Sequence, residues 1–186
     1  MLTFKKASTT RDYWQTLFLE AFPGTSEELV DQIMTWDERP EVFVRTICDD
    51  DKAIGIIVWV ALSETKMYIS FLAVDSNQRG QGYGSIILEE CKTMYPDGII
   101  LEAELMDDSA ENSEQRQQRH KFYEKNGVID SKYIVKLTSG VYHLMRTTPN
   151  VTVDDFLQGI HLTSDASVLV AALKDADKLK NLADMK

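Results

Sequence analysis

The run Arg79-Gly80-Gln81-Gly82-Tyr83-Gly84 constrains this 186-residue chain more than any other. It follows an apolar stretch, Met67 to Val74. It opens a segment whose apolar residues, Ile86, Ile87, Leu88, Cys91 and Met94, recur at helical spacing. The order is strand, glycine turn, helix. Three glycines at alternate positions keep side chains off the backbone, so an anion can approach the unpaired N–H groups of a helix start. Those donors and the positive end of the helix dipole favour a phosphate there. A phosphate-bearing cofactor at the turn is the first expectation.

The elements around the turn read as one α/β pattern. Leu2 to Ala7 is a short strand. Arg11 to Phe22 carries Trp14, Leu17, Phe18 and Ala21 at helical spacing and ends at Pro23-Gly24. A second helix starts with Thr25 or Ser26 as N-cap, runs through Leu29, Ile33, Met34 and Trp36, and stops before Pro40. Strands follow at Glu41 to Ile47, Ala53 to Leu62 and Met67 to Val74, the first two joined by the polar turn Asp49-Asp50-Asp51-Lys52. Beyond the glycine helix, Pro96-Asp97-Gly98 precedes a strand at Ile99 to Leu105. Next come a polar stretch, Met106 to Asn112, and a helix from Ser113 to Lys125 closed by Asn126-Gly127. Tyr133 to Leu137 and Val141 to Met145 form a hairpin around Thr138-Ser139-Gly140. A short helix is capped by Thr152 and ends at Gly159. Asp165 to Met185 reads as an amphipathic helix that either packs on its own domain or mediates a homodimer, with packing preferred.

Bulk properties exclude several classes. The length suits one domain, or one domain with a small appendage. A formal net charge of -10 argues against nucleic-acid and acidic-membrane binding, which need a basic footprint. The acidic surface suits a cationic small substrate and plain solubility alike. No apolar stretch is long enough to span a bilayer, and the N-terminus lacks a signal-peptide pattern, so a cytoplasmic setting is expected. Cys48 and Cys91, far apart and without ligand-spaced neighbours, suggest neither a disulfide nor a zinc site, and no metal is expected.

The order of elements, with Arg79-x-x-Gly82-x-Gly84 after the fourth strand, resembles the GNAT family of acyl-CoA-dependent N-acyltransferases. Phe122-Tyr123-Glu124-Lys125-Asn126-Gly127 looks like the helix-ending signature of that family: a hydrophobic residue, Tyr, Glu, a variable pair and Gly. The resemblance covers Leu2 to Thr147. It implies an α/β fold with a central, mixed, mostly antiparallel sheet of about seven strands, flanked by helices. The domain would span 1–147, and 148–186 would form a C-terminal helical extension. In such proteins strands four and five splay apart and coenzyme A lies in the gap. Carried over, the N–H groups of Arg79, Gly80, Gln81, Gly82, Tyr83, Gly84 and Ser85 would bind its pyrophosphate. The backbone of Leu72, Ala73 and Val74 would pair with the pantetheine amides like an added strand. The Arg79 guanidinium would add a charge-assisted phosphate contact, the competing role being a surface pair.

The implied reaction moves an acetyl group from acetyl-CoA to a primary amine of a small-molecule or peptide acceptor. It needs a base for the ammonium proton, a donor for the oxyanion and a proton donor for the departing thiolate. Tyr123 matches the family's tyrosine at the coenzyme sulfur; its competing role is core packing. A glutamate that some members carry early in strand four corresponds to about Tyr68 and is absent. Leu101-Glu102-Ala103-Glu104 instead resembles the Leu-Glu-Val of ribosomal-protein N-terminal acetyltransferases. Period-two alternation puts Glu102 and Glu104 on one strand face. Glu102 is the first candidate base and Glu104 the second, with a solvated strand face as the competing reading. Arg116 and Arg119 stand where members often have Asn and a small residue. They would contact a coenzyme phosphate or form a wet helix face, and Asn112 would replace the missing Asn. His120, His143 and His161 show no triad or ligand spacing and read as structural or surface residues.

Two other functions compete. A catalytically silent, GNAT-like module would bind the coenzyme for regulation alone. A dinucleotide-binding oxidoreductase would need G-x-G-x-x-G after its first strand, whereas this chain has Gly80-x-Gly82-x-Gly84 after its fourth.

Overall fold

The computed structural model describes residues 1–164 and 167–177. The backbone forms two compact units, Met1–Pro96 and Asp97–Lys186. The first contains β1 (Leu2–Lys6), a 3-10 turn (Ala7–Thr10), α1 (Arg11–Ala21), α2 (Glu27–Trp36), β2 (Val42–Asp49), β3 (Lys52–Ala61), β4 (Lys66–Val74), a second 3-10 turn (Ser76–Gln78) and α3 (Tyr83–Met94). Its strands pair antiparallel in the order β1-β2-β3-β4.

Residues Ile54 to Val60 of β3 are all buried, which explains their nearly unbroken apolar run: both faces of a central strand are covered. Gly55 is required by the close approach of β4, since a Cβ there would stand 2.6 Å from the Ala73 carbonyl oxygen. The helical spacing of α1 buries Trp14, Leu17 and Phe18, and that of α2 buries Val30, Ile33 and Trp36. Each such side chain contributes about 1.5–3 kcal/mol of transfer free energy. The α2 N-cap is Ser26, whose hydroxyl accepts from the Leu29 N–H at 3.4 Å. Trp59 stacks on Phe43 with ring centroids 4.8 Å apart, so it belongs to the packed interior, as do Trp14 and Trp36.

One irregularity in β4 matters later. Val58 pairs with Phe71 but Trp59 pairs with Ile69, so Ser70 is an extra residue bulged out of the β3–β4 ladder.

The second unit contains β5 (Gly98–Glu104), α4 (Ser113–Lys125), β6 (Ile129–Leu137), β7 (Gly140–Arg146), α5 (Val153–Ile160), β8 (Leu169–Ala172) and a 3-10 turn (Leu173–Asp175). These strands are also antiparallel, in the order β5-β7-β6-β8. Gly127, at φ 73°, supplies the left-handed residue after α4, and Thr152 with Asp155 forms a reciprocal capping box on α5.

The tail departs from expectation. Residues 169–172, read as part of a helix from Asp165 to Met185, form a strand on β6, with Tyr133 opposite Ala172 and Lys136 opposite Leu169. Ala171, Leu173 and Ala176 pack on Leu105 and Ile134. A short run such as Val168-Leu169-Val170-Ala171-Ala172 satisfies helical and extended patterns alike, and the unpaired edge of β6 decides between them. Among the described residues there are thus eight strands, four in each unit, where about seven were expected. The rest of that expected helix at Asp165, Ala166 and 178–185 lies outside the described residues. Among the described residues no helix is long and apolar enough to cross a membrane.

Candidate active site

The glycine turn sits between the 3-10 turn after β4 and the start of α3. Gly80 and Gly82 have φ of 78° and 85°, a left-handed backbone that side chains disfavour. A Cβ at either position would meet nothing within 4 Å, so backbone conformation, not crowding, demands glycine here. Gly82 caps α3 with no side-chain acceptor, and the first helical turn holds no acidic residue. Among the described residues the N–H groups of Gly80, Gln81, Gly82, Tyr83 and Gly84 have no acceptor. The Arg79 and Ser85 N–H groups, expected to join them, are occupied. The first donates to Ser76 O at 3.4 Å and the second to Gly82 O at 3.0 Å, because 3-10 bonds tighten both ends of the loop.

Side chains of the turn point back at the protein. Tyr83 donates its hydroxyl to Asp49 Oδ2 at 3.0 Å. Gln81 reaches the buried Gln78, whose Oε1 also accepts from Lys52 Nζ at 2.9 Å. Arg79 Nε leans on Val74 O at 3.3 Å, and its guanidinium is otherwise exposed. The result is a loop with five unpaired amide donors at the positive end of the α3 dipole. Leu72, Ala73 and Val74 pair along one edge of β4 with Ile57, Ile56 and Gly55, and antiparallel geometry turns alternate backbone groups away from β3. The Ser70 bulge just upstream withdraws backbone from the same ladder.

The second unit holds the candidate acid and base. Tyr123 lies in the last turns of α4 and is half-buried. Burial pushes its pKa up to about 12; Arg119 eases the shift and the negative charge of Glu102 reinforces it. The charge of Glu102 on β5 is thus felt at the phenol. The alternating burial of β5 puts Glu102 and Glu104 on its less buried face, as period two requires.

Glu104 and Arg116 depart from the roles expected of them. The Glu104 carboxylate accepts from Arg119 and, at 3.1 Å, from Asn112 Nδ2, with Arg116 3.7 Å away. Arg116 also donates to Asn112 Oδ1 at 2.7 Å and to Leu105 O at 2.9 Å. These residues latch the segment 105–113 onto β5. A carboxylate tied to two guanidinium groups is poorly placed to take a substrate proton, and Arg116 has its donors committed within the chain. Asn112 precedes α4 but makes no capping bond. Sequence reasoning missed the Ser70 bulge, which leaves no local signature. It also missed that His120 and His143 are buried against one another, with ring centroids 4.9 Å apart.

The sequence model of the acetyltransferase (GNAT) family matches residues 11–128. The chain belongs to the GNAT acetyltransferase family. Membership makes it an acyl-CoA-dependent N-acyltransferase with the GNAT fold and acetyl-CoA as donor. None of the curated proteins matches it in sequence. Solved structures resemble it in fold. A protein from Bacteroides thetaiotaomicron described as a GNAT-family acetyltransferase superimposes with a TM-score of 0.60 at 23% identity, over 78% of this chain and 85% of that one. The aminoglycoside 6'-N-acetyltransferase of Enterococcus faecium gives 0.58 at 17% identity, over 80% and 96%. The PaiA N-acetyltransferase of Thermoplasma acidophilum, solved with coenzyme A, gives 0.52 at 14% identity, over 80% and 99%. Among the described residues no group of three or more His, Cys, Asp or Glu is placed to hold a metal ion.

Proposed function

We propose that this chain transfers the acetyl group of acetyl-CoA to a primary amine of a small-molecule or peptide acceptor. The observation that carries the reading is the set of five unpaired amides from Gly80 to Gly84, fixed at the start of α3. They suit a pyrophosphate in number, charge and exposure. Arg79 adds a charge-assisted contact from its exposed guanidinium. The outward backbone groups of Leu72 to Val74 pair with the pantetheine amides, and an N–H released at the Ser70 bulge faces the thioester oxygen as its charge develops.

The chemistry then runs on Glu102 and Tyr123. Glu102 takes the proton of the acceptor ammonium, directly or through one water, and the neutral amine attacks the thioester carbonyl. The carbon–sulfur bond breaks, and the thiolate leaves toward the Tyr123 hydroxyl. With its pKa near 12, against about 8.5 for an ordinary cysteine thiol, the phenol holds its proton and donates a hydrogen bond to sulfur. Full transfer to sulfur is coupled to replacement of that proton from Glu102; the carboxylate so freed takes the second proton from the nitrogen of the tetrahedral adduct and releases it to solvent, so the cycle ends with both side chains as they began. Replacing Tyr123 by Phe keeps the ring and removes the donor. Coenzyme A release should then fall by roughly 10²- to 10⁴-fold with the acetyl-CoA KM unchanged. Undiminished release from Tyr123→Phe rules out the donor role.

A further inference from the structure

The mechanism leaves one buried cluster unused. His120 lies on α4 one turn before Tyr123, and His143 lies on β7 opposite Ala103 of β5 and Ile134 of β6. Both are buried, and the rings meet edge to face at 79°. His120 Nε2 is 2.9 Å from Glu104 O. A carbonyl oxygen only accepts, so Nε2 carries the hydrogen and ties α4 to β5. His143 Nδ1 is 3.0 Å from Asp130 Oδ2, off the line of a well-aligned hydrogen bond. Burial disfavours the charge on Asp130, but His143 and the Lys132 amide and ammonium outweigh it and hold its pKa below the ordinary value. The β6 irregularity between Asp130 and Tyr133, with Lys132 at φ 68°, turns this carboxylate toward the histidine.

We infer that His120, backed by His143 and Asp130, is a positioning residue that sets the height of the Tyr123 hydroxyl by seating α4 on β5. This rests on the reading of Tyr123 as the donor to sulfur. The Nε2 bond to Glu104 O ties α4 to β5 one turn before Tyr123, while the Arg116 and Arg119 pairs with the Glu104 carboxylate tie the helix nearer its start. Loss of the His120 bond loosens the end of α4 and withdraws Tyr123.

The test compares wild type, His120→Gln and His120→Ala, reading kcat and the acetyl-CoA KM separately. A glutamine amide places a donor where Nε2 stands, so His120→Gln is expected to keep most of kcat. His120→Ala is expected to lose kcat by on the order of 10- to 100-fold with KM unchanged. A folded His120→Ala with normal kcat, or a His120→Gln as impaired as His120→Ala, overturns the inference. A second readout needs no turnover: the ¹³Cζ-tyrosine signal of Tyr123, assigned by its loss in Tyr123→Phe. It should move in His120→Ala and hold its wild-type position in His120→Gln. A signal unmoved in His120→Ala overturns the coupling even if Tyr123 is the donor, whereas full turnover in Tyr123→Phe removes the donor role without touching the coupling.

Discussion

Replacing Gly82 isolates the backbone contribution to coenzyme binding. Gly82 sits at φ 85° and ψ -1°, and an added Cβ meets nothing within 4 Å, so the penalty of a substitution is conformational alone. For alanine, left-handed backbone costs about 1–2 kcal/mol. Gly80, Gln81 and Gly82 are exposed, so the turn relieves this strain by relaxing locally rather than by unfolding the unit. The midpoint of thermal unfolding should barely move. The cost returns when the ligand demands the original loop, and 1–2 kcal/mol corresponds to roughly 5- to 30-fold in dissociation constant. Asparagine tolerates left-handed backbone and should weaken binding least; β-branched valine should weaken it most. Calorimetric titration with coenzyme A gives the order Gly, Asn, Ala, Val from tight to weak. Equal affinity for Gly82→Val and wild type, or equal damage from Asn and Val, would refute the argument that positive φ sets the shape of the site.

Two further predictions concern the second unit. Glu102→Gln should lower kcat by roughly 10²- to 10⁴-fold, while Glu104→Gln should leave kcat near wild type and instead cost up to about 1 kcal/mol in urea unfolding, because its partly exposed carboxylate is a latch for Arg116 and Arg119. Alkaline stability tests the environment of Tyr123. An unfolded tyrosine ionises near pH 10 and the folded one near 12, so above pH 10 the unfolded state gains by losing a proton. Stability should therefore decline between pH 10 and 12, and less steeply in Tyr123→Phe; parallel declines would show that the phenol is not desolvated.

Local chemistry made much of this molecule legible. Glycines that demand positive φ, the Ser26 and Thr152 caps and the Asn126-Gly127 stop are decided within a few residues of themselves, and all stand where sequence reasoning puts them. α4 is an instructive case. Its surface is almost wholly polar and it buries only His120, so its ends, not its periodicity, announce it. What stayed hidden depends on pairing between distant segments. Residues 169–172 become a strand because β6 offers an edge. Ser70 bulges because β3 and β4 differ by one residue in register. Glu104 stands second to Glu102 as the candidate base in the sequence, and no local pattern announces that Arg116 and Arg119 arrive from α4 to engage it. The contact of His120 with His143 likewise joins a helix to a strand 23 positions on, with no spacing rule to foretell it.

The central claim is that the amides of Gly80 to Gly84 grip a diphosphate. Amide-resolved NMR of the ¹⁵N-labelled protein during titration with acetyl-CoA measures this directly. These five signals should shift together and saturate with the ligand, while those of Arg79 and Ser85, already hydrogen-bonded within the loop, should move less. Saturable binding that leaves all five in place, or no binding at all, would contradict the account.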